Sequence, residues 1–226
     1  MATWVITGAN RGIGLEFVEK LLDEGHTIFA GMREISQCKI DHENLTVLQL
    51  DVSNTESSNQ FTKQIMSQTN TVDVLVNNAG MMDGRWQSFE EVDMELSLEV
   101  MNVNTIGPMR VTQGLWPLLK STDNAKVAMI TSLMGSIDDC MSGRSYAYRT
   151  SKTGLNMITK VLSIEGRESD ITVSCYHPGW VKTDMGGDRA PVSKHESVQG
   201  LISLIKNQNM DKSGRFFEYT GVEFPW

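Results

Sequence analysis

The sequence predicts one α/β domain, an open and doubly wound parallel sheet of about seven strands with helices on both faces. Short apolar segments alternate with segments of helical spacing along the whole chain, which is the pattern of stacked β-α-β units. Residues 72–76 are continuously apolar, as expected for a strand that is buried on both faces. A chain of 226 residues fits one such domain and no repeat or linker divides it, so we predict a single domain over residues 1–226.

Each element is predicted by its own local pattern. The strand segments are short and apolar, and they lie at 3–7, 27–31, 45–50, 72–76, 126–131, 171–176 and about 215–219. The first helix is predicted by Ile13, Phe17 and Leu21, which recur one turn apart before Gly25 ends the helix. Further helices are predicted at 55–69, 89–101, 105–119, 146–166 and about 193–206.

The composition argues against several classes of protein. Lys and Arg number 20 against 28 Asp and Glu, and the resulting net charge of −8 disfavours nucleic acid and anionic membranes as partners. The three cysteines and four histidines lack the paired spacing of metal ligands, so we predict no metal and a reducing, cytoplasmic location. The chain enters a strand segment at once, and no apolar run approaches the ~20 residues of a membrane span. We therefore expect neither a signal peptide nor a span.

A glycine-rich turn joins the first strand to the first helix, in the sequence Thr-Gly-Ala-Asn-Arg-Gly-Ile-Gly at residues 7–14. Glycines let the backbone turn tightly and approach a pyrophosphate, and the helix N-terminus offers free N–H donors to it. The spacing differs by one residue from the G-x-G-x-x-G of many Rossmann-type dinucleotide-binding folds. An ordinary strand-to-helix turn is the alternative interpretation of the same glycines.

Tyr148 and Lys152 are four residues apart, so a helix places them on one face, one turn from each other. A free tyrosine has a pKa near ~10, and a neighbouring ammonium should lower that pKa. Tyr148 could then exchange a proton with a carbonyl or an alcohol. The alternative is an exposed aromatic ring beside a solvated lysine. Tyr146 is the weaker candidate, because Thr150 stands four residues after it.

Six motifs resemble those of the short-chain dehydrogenase/reductase family, and they occur in the family's order over nearly the whole chain. They are the glycine turn, Asn77-Asn78-Ala79-Gly80, Asn104, Ser132, Tyr148 with Lys152, and Pro178-Gly179 followed by Thr183. The resemblance implies that Ser132 donates a hydrogen bond to the reacting oxygen and that Lys152 also holds the nicotinamide ribose. It implies that Asn104 holds a water linking Lys152 to solvent, although helix capping or packing would also explain this asparagine. The 16 positions from Ser132 to Tyr148 exceed the usual family spacing, which predicts a longer loop at 136–145.

The residues after the second strand predict NADP(H) as the preferred cofactor, with NAD(H) possible. Met32 stands where NAD-specific proteins carry an acid, Arg33 follows it, and Arg11 lies in the glycine turn. Two guanidinium groups suit a 2′-phosphate. Arg33 could instead be a solvated loop residue, and Glu34 could offset its charge. The predicted cofactor-binding residues are Gly8, Asn10, Arg11, Gly12, Ile13, Gly14, Arg33, Asp51, Val52, Asn78, Ala79, Gly80, Tyr148, Lys152, Pro178, Gly179, Val181 and Thr183.

The substrate site should form from the loops after strands four, five and six. Those loops carry Met81, Met82, Met134, Met141, Trp180 and Met185, which predict an adaptable apolar wall and a small lipophilic carbonyl or alcohol substrate. Methionines that fill the core are the alternative. The segments around Tyr148 and Pro178 resemble C-factor-like and Sniffer-like carbonyl reductases, which implies reduction of an aldehyde or ketone. A cofactor-binding signalling or sensor protein of C-factor type is the alternative function. The resemblance implies a homodimer or homotetramer, and the short chain leaves a monomer open.

Overall fold

A computed structural model describes the whole chain, Met1–Trp226, and its seven strands form one sheet. All neighbouring strands run parallel, in the order β3-β2-β1-β4-β5-β6-β7. The strands are β1 (Thr3–Thr7), β2 (Thr27–Met32), β3 (Leu45–Gln49), β4 (Val74–Asn77), β5 (Lys126–Ile130), β6 (Thr172–His177) and β7 (Phe216–Glu218). The predicted fold class, a doubly wound Rossmann-type sheet, is confirmed, and each predicted strand differs from the observed one by no more than two residues at either end.

Helices cover both faces of the sheet. They are α1 (Gly12–Asp23), α2 (Thr55–Met66), α3 (Met94–Met101), α4 (Gly107–Lys120), α5 (Tyr146–Glu165) and α6 (Lys194–Lys206). One hydrophobic core lies between the sheet and α1 and α6, and a second core lies between the opposite face and α2, α4 and α5. Because both faces are covered, the central strands are apolar throughout, as the segment at 72–76 indicated.

The helix predicted to begin at residue 89 begins five residues later. The Asp93 side chain accepts a hydrogen bond of 3.0 Å from the Leu96 backbone N–H, so this aspartate is the N-cap of α3. The two helices predicted at 89–101 and 105–119 also prove to be one continuous helical run. A π-helical segment, Asn102–Ile106, joins α3 to α4. Single π-helical turns of this kind are frequent at functional sites.

The strand order reverses between β1 and β4, since β2 and β3 lie on one side of β1 and the later strands on the other. In such a sheet a crevice opens at the carboxyl ends of the two central strands. Thr7 ends β1 and Asn77 ends β4, so the glycine turn and the Asn-Asn-Ala-Gly segment meet at this crevice. No helix combines the length and the apolar character needed to cross a membrane.

Candidate active site

Two glycines of the first turn are required by close backbone contacts. Gly8 has a φ of +67°, and a Cβ there would lie 2.8 Å from the Cα of Ala79. A Cβ on Gly14 would overlap the Gly8 carbonyl oxygen. The N-terminus of α1 has no side-chain cap and no acidic residue in its first turn, whereas Asn54, Asp93 and Ser193 cap α2, α3 and α6. The backbone N–H donors at the start of α1 are therefore left for another acceptor, and an anionic group fits there.

Asn78 and Ala79 hold the glycine turn in place from the neighbouring strand. The Asn78 Nδ2 atom donates to the carbonyl oxygens of Thr7 and Gly8, at 2.9 and 3.2 Å. The Thr7 hydroxyl oxygen accepts from the backbone N–H groups of Asn78 and Ala79, both at 3.0 Å. Side-chain bonds thus fix the backbone on both sides of the switch point.

Ser132, Tyr148 and Lys152 come together at the carboxyl end of β5, where all three are at least nine-tenths buried. Ser132 follows β5, and its Oγ accepts a bond of 3.2 Å from the backbone N–H of Met134. Tyr148 lies in the first turn of α5 and Lys152 in the next. The Lys152 Nζ lies 5.8 Å from the centre of the Tyr148 ring and donates to the Ile130 carbonyl oxygen at 2.9 Å. Tyr146, by contrast, is exposed and packs edge-on against Phe89.

Hydrogen bonds between α5 and the segment after β5 keep Ser132 beside the helix. The Thr131 hydroxyl donates to the Asn156 side chain at 2.7 Å. The Asn156 amide and the Thr153 hydroxyl both donate to the Gly135 carbonyl oxygen, at 3.1 and 2.9 Å. These bonds join the residues on either side of Ser132 to the helix that carries Tyr148.

The structure contradicts the predicted lowering of the Tyr148 pKa by Lys152. Burial raises the pKa of Tyr148, and the neighbouring Ser132 hydroxyl and the Arg85 guanidinium offset part of that rise. Lys152 points to the Ile130 carbonyl instead, and burial lowers its own pKa from 10.5 to about 8. The spacing of Tyr148 and Lys152 placed both on one face, but burial decided the direction of the pKa shifts.

Asn104 lies in the π-helical segment and is fully buried. Its Nδ2 donates to the Met81 carbonyl oxygen at 2.8 Å and to the Ser151 hydroxyl at 3.0 Å, and its Oδ1 accepts from the Met81 N–H at 2.8 Å. A Cβ on Gly80 would lie 3.2 Å from this Oδ1 and 3.6 Å from the Lys152 Nζ, so the three residues converge. Both amide donors are used, and Oδ1 accepts one bond.

A cleft of about 790 Å³ runs along this edge of the sheet, and Arg33 and Tyr148 both line it. It is lined by all the predicted cofactor-binding residues except Gly14, Gly179 and Val181. Gly14 packs behind Gly8, and Val181 is buried. Ser132 and Asn104 do not line the cleft. A volume of this size is typical of sites for small molecules and cofactors.

The two predicted phosphate-binding arginines differ in their partners. Arg33 is exposed and makes no ion pair, and its carbonyl oxygen accepts from the Gln49 side chain at 3.3 Å. Arg11 pairs with Asp184 at 2.7 Å, although both side chains are mostly exposed. Glu34 does not pair with Arg33; its carboxylate accepts a bond of 2.7 Å from the Gln37 amide. Arg33 is therefore a cleft-lining arginine without an ion pair.

Asp51 also lines the cleft, at the carboxyl end of β3. Its Oδ1 accepts from the Ser53 backbone N–H at 2.9 Å and from the Ser53 hydroxyl at 2.6 Å. The carboxylate is thus held in one orientation by the next turn of the chain.

The predicted apolar wall is only half correct. Met81, Met82 and Met185 line the cleft, but Met134, Met141 and Trp180 do not. Met141 is 90% exposed, and the Trp180 indole donates to the Gly186 carbonyl oxygen at 2.7 Å. Sequence reasoning also missed three charged residues that line the cleft. They are Asp83, Arg85 and Glu99. They belong to no motif, so only the fold shows that they line the cleft.

A glycine turn at the first switch point and a buried tyrosine and lysine on α5 beside a serine define a class of oxidoreductase. The chain belongs to the short chain dehydrogenase family, whose model matches residues 2–193. It is 42% identical to C-signal of Myxococcus xanthus over 158 residues, which are 70% of this chain and 95% of that protein.

Two solved structures share the whole fold with this chain. The carbonyl reductase Sniffer of D. melanogaster is 31% identical, with a TM-score of 0.94 and 100% of both chains covered. An NADPH-bound carbonyl reductase from chicken fatty liver is also 31% identical, with a TM-score of 0.92 and 100% and 99% of the two chains covered. The predicted resemblance to the family, including its C-factor-like and Sniffer-like members, is confirmed.

Proposed function

We propose that this chain is an NADP(H)-dependent carbonyl reductase, which reduces an aldehyde or ketone, or oxidises the alcohol, with Tyr148 as the acid and base. The observation that carries the proposal is the cleft. The buried Tyr148 and Lys152 lie at one part of its lining and the unpaired Arg33 at another. The chicken relative that binds NADPH supports the choice of cofactor. The sheet includes both the first and the last strand, so we propose that residues 1–226 act as one domain.

The residues present fit a dinucleotide with a 2′-phosphate. The glycine turn and the uncapped start of α1 would hold the pyrophosphate, and Lys152 would hold the nicotinamide ribose. Arg33 would bind the 2′-phosphate, and Asp51 would contact the adenine amine. When bound, NADPH supplies the hydride. We propose that the substrate occupies the part of the cleft that Met81, Met82 and Met185 line.

The side chains of this chain would handle the proton. Burial raises the pKa of Tyr148, so the phenol carries its proton at neutral pH and starts as the acid. It would give that proton to the carbonyl oxygen of the substrate. The Ser132 oxygen accepts from the Met134 N–H, and its hydroxyl bonds to the Tyr148 phenol; with substrate bound, this O–H would donate to the same carbonyl oxygen. Lys152 and a water on Asn104 would return a proton to Tyr148.

NADPH consumption with a panel of aldehydes, ketones and quinones tests this function, in the wild type and in Tyr148→Phe. Loss of a positioned acid typically slows turnover by about 10²–10⁴-fold, and we expect a loss in this range. Tyr146→Phe is the matched control, because this exposed tyrosine stands two residues away and should be replaceable without effect. A folded Tyr148→Phe protein that keeps more than about a tenth of wild-type turnover would show that Tyr148 is not the acid.

A second candidate function is that of a signalling or sensor protein that binds NADP(H) and turns over substrate only incidentally. The 42% identity to C-signal favours this alternative. The same panel separates the two functions. A sensor would bind NADPH in a fluorescence titration and yet turn over none of the carbonyl compounds, whereas a carbonyl reductase would reduce at least one class of them.

A further inference from the structure

Arg85 is the one residue with a permanent cation in the loop between β4 and α3, and it lines the cleft. Its guanidinium donates to the carbonyl oxygen of Met185, which also lines the cleft but belongs to the segment after β6. The side chain therefore spans the cleft from one loop to another. A guanidinium carries five N–H donors. The Met185 carbonyl is the sole hydrogen-bond acceptor for Arg85 in this structure, so several donors remain free.

No carboxylate forms an ion pair with Arg85. Asp83, Glu99 and Asp184 line the same cleft, but none of these carboxylates comes within ion-pair distance of Arg85, and Asp184 pairs with Arg11 instead. Arg85 also acts on the reacting group, since its charge lowers the pKa of Tyr148 against the effect of burial. Arg85 is therefore a cation that forms no ion pair and whose charge reaches the Tyr148 phenol.

We propose that Arg85 binds an anionic oxygen group of the substrate, a carboxylate or a phosphate, while the carbonyl of the same molecule lies at Tyr148. The proposal rests on the carbonyl reductase function and narrows its substrate class from lipophilic carbonyls to acidic ones. A planar guanidinium pairs with either group through two parallel hydrogen bonds, which a neutral ester cannot match. The methionines beside it would contact the carbon skeleton of the substrate.

Three aldehydes of similar shape test this proposal. They are 4-carboxybenzaldehyde, 4-formylphenyl phosphate and the neutral methyl 4-formylbenzoate. We expect the wild type to have a higher kcat/KM for at least one of the two anions than for the ester. Arg85→Gln should reduce that preference about tenfold, as expected for loss of a charge-assisted hydrogen bond at an exposed site. The anion whose kcat/KM falls more in Arg85→Gln identifies the group that Arg85 binds.

Arg144→Gln is the matched control. Arg144 also donates to a loop carbonyl, that of Trp86 at 3.1 Å, but it does not line the cleft. Its replacement should leave the preference for the anion unchanged. An equal loss for charged and neutral aldehydes in Arg85→Gln would overturn the proposal, because Arg85 would then only hold the loop that carries Met185. A wild type with no preference for either anion would also overturn it.

An equilibrium measurement keeps this proposal separate from the proposed function. Calorimetry on the protein with NADP⁺, which has no hydride to give, reports binding of 4-carboxybenzaldehyde and of its ester without turnover. We expect the acid to bind more tightly, and Arg85→Gln to lose about tenfold in affinity for the acid alone. If no aldehyde is reduced, the proposed reductase function is wrong. The ratio of the two affinities for the acid, in wild type and in Arg85→Gln, still decides the role of Arg85. Equal affinity of wild type and Arg85→Gln for the acid would refute that role.

Discussion

The proposed reacting end and the proposed phosphate end of the cleft are built in different ways. At the reacting end Tyr148 and Lys152 are 7% and 5% exposed, and hydrogen bonds through Asn156 and Thr153 hold their surroundings. At the phosphate end the Arg11 side chain is 65% exposed, and Arg33 is exposed without a partner. Buried groups keep a fixed geometry, whereas exposed charges act through a screened field. If the proposed roles hold, the reacting groups are preorganised at one end, and the choice of cofactor should depend on weaker, replaceable contacts at the other.

The burial of Lys152 at the reacting end should destabilise the folded protein. Lys152 is a buried cation whose direct partner is a neutral carbonyl, so burial lowers its pKa to about 8. No carboxylate pairs with it. A lysine in such surroundings favours the unfolded state at neutral pH, where the unfolded chain keeps the ammonium in water.

Among the changes that compare the two ends, the largest effect is therefore expected on stability, in Lys152→Met without cofactor. The lowering of the Lys152 pKa from 10.5 to about 8 corresponds to roughly 3 kcal/mol, from which about 1 kcal/mol is subtracted for the lost bond to Ile130. We expect the variant to be about 2 kcal/mol more stable at pH 7 and yet impaired in turnover. Urea unfolding gives the difference, with Lys160→Met as the control, since this exposed lysine lies on the same helix.

The advantage of Lys152→Met should depend on pH. Below pH 8 both the folded and the unfolded wild type carry the proton, so the burial of the charge destabilises fully. Between about 8 and 10.5 the folded protein releases the proton while the unfolded chain keeps it, and wild-type stability rises with pH. The variant should lose its advantage over this interval. A difference between the two proteins that stays constant from pH 7 to pH 10 would contradict the buried-cation interpretation.

The sequence predicted much of the reacting end, because its key relation is local. Tyr148 and Lys152 are separated by one helical turn, and the start of the predicted helix at residue 146 agrees with α5. The direction of the Tyr148 pKa was wrong, because burial depends on the packing of distant elements. The π-helical segment was also missed. Asn104 bonds there to Met81 and Ser151, 23 and 47 residues away in the sequence.

At the other end the sequence indicated the residue types but not their pairing. Arg11 and Arg33 both line the cleft, yet Asp184, 173 residues away, pairs with Arg11. Arg85 escaped notice because its partner Met185 lies 100 residues later, and no local pattern connects two loops that meet over a cleft. Long-range contacts between loops are the part of the site that spacing cannot reveal.

A smaller effect is expected at the phosphate end, from Arg33→Ala. Only NADPH carries the 2′-phosphate, so the variant should lose about tenfold in affinity for NADPH and little for NADH, as expected for one exposed charge-assisted bond. Titration of both cofactors by fluorescence measures this, and the NADPH loss should shrink at high salt. Lys39→Ala is the control, because this cation is in the same segment but does not line the cleft. An equal loss for both cofactors would mean that Arg33 acts only on the loop.

The smallest effect is expected from Gln37, which sets the charge environment of Arg33 without belonging to any motif. The Gln37 amide donates to Glu34 at 2.7 Å, and its oxygen accepts from the Asn10 side chain at 2.7 Å. This bridge engages one oxygen of the Glu34 carboxylate, and Glu34 forms no ion pair with Arg33. In Gln37→Leu the carboxylate is released and can pair with Arg33, in competition with the 2′-phosphate.

Exposed ion pairs are worth about 0.2–1 kcal/mol, so Gln37→Leu should weaken NADPH binding by roughly two- to fourfold and leave NADH binding unchanged. The double variant Gln37→Leu/Glu34→Gln separates charge from structure, because it lacks the bridge and also lacks the competing carboxylate. Its affinity for NADPH should return to the wild-type value or exceed it. If the double variant stays as weak as Gln37→Leu, or if NADH binding falls in parallel, then Gln37 supports the loop itself, and the selectivity of this end depends on Arg33 alone.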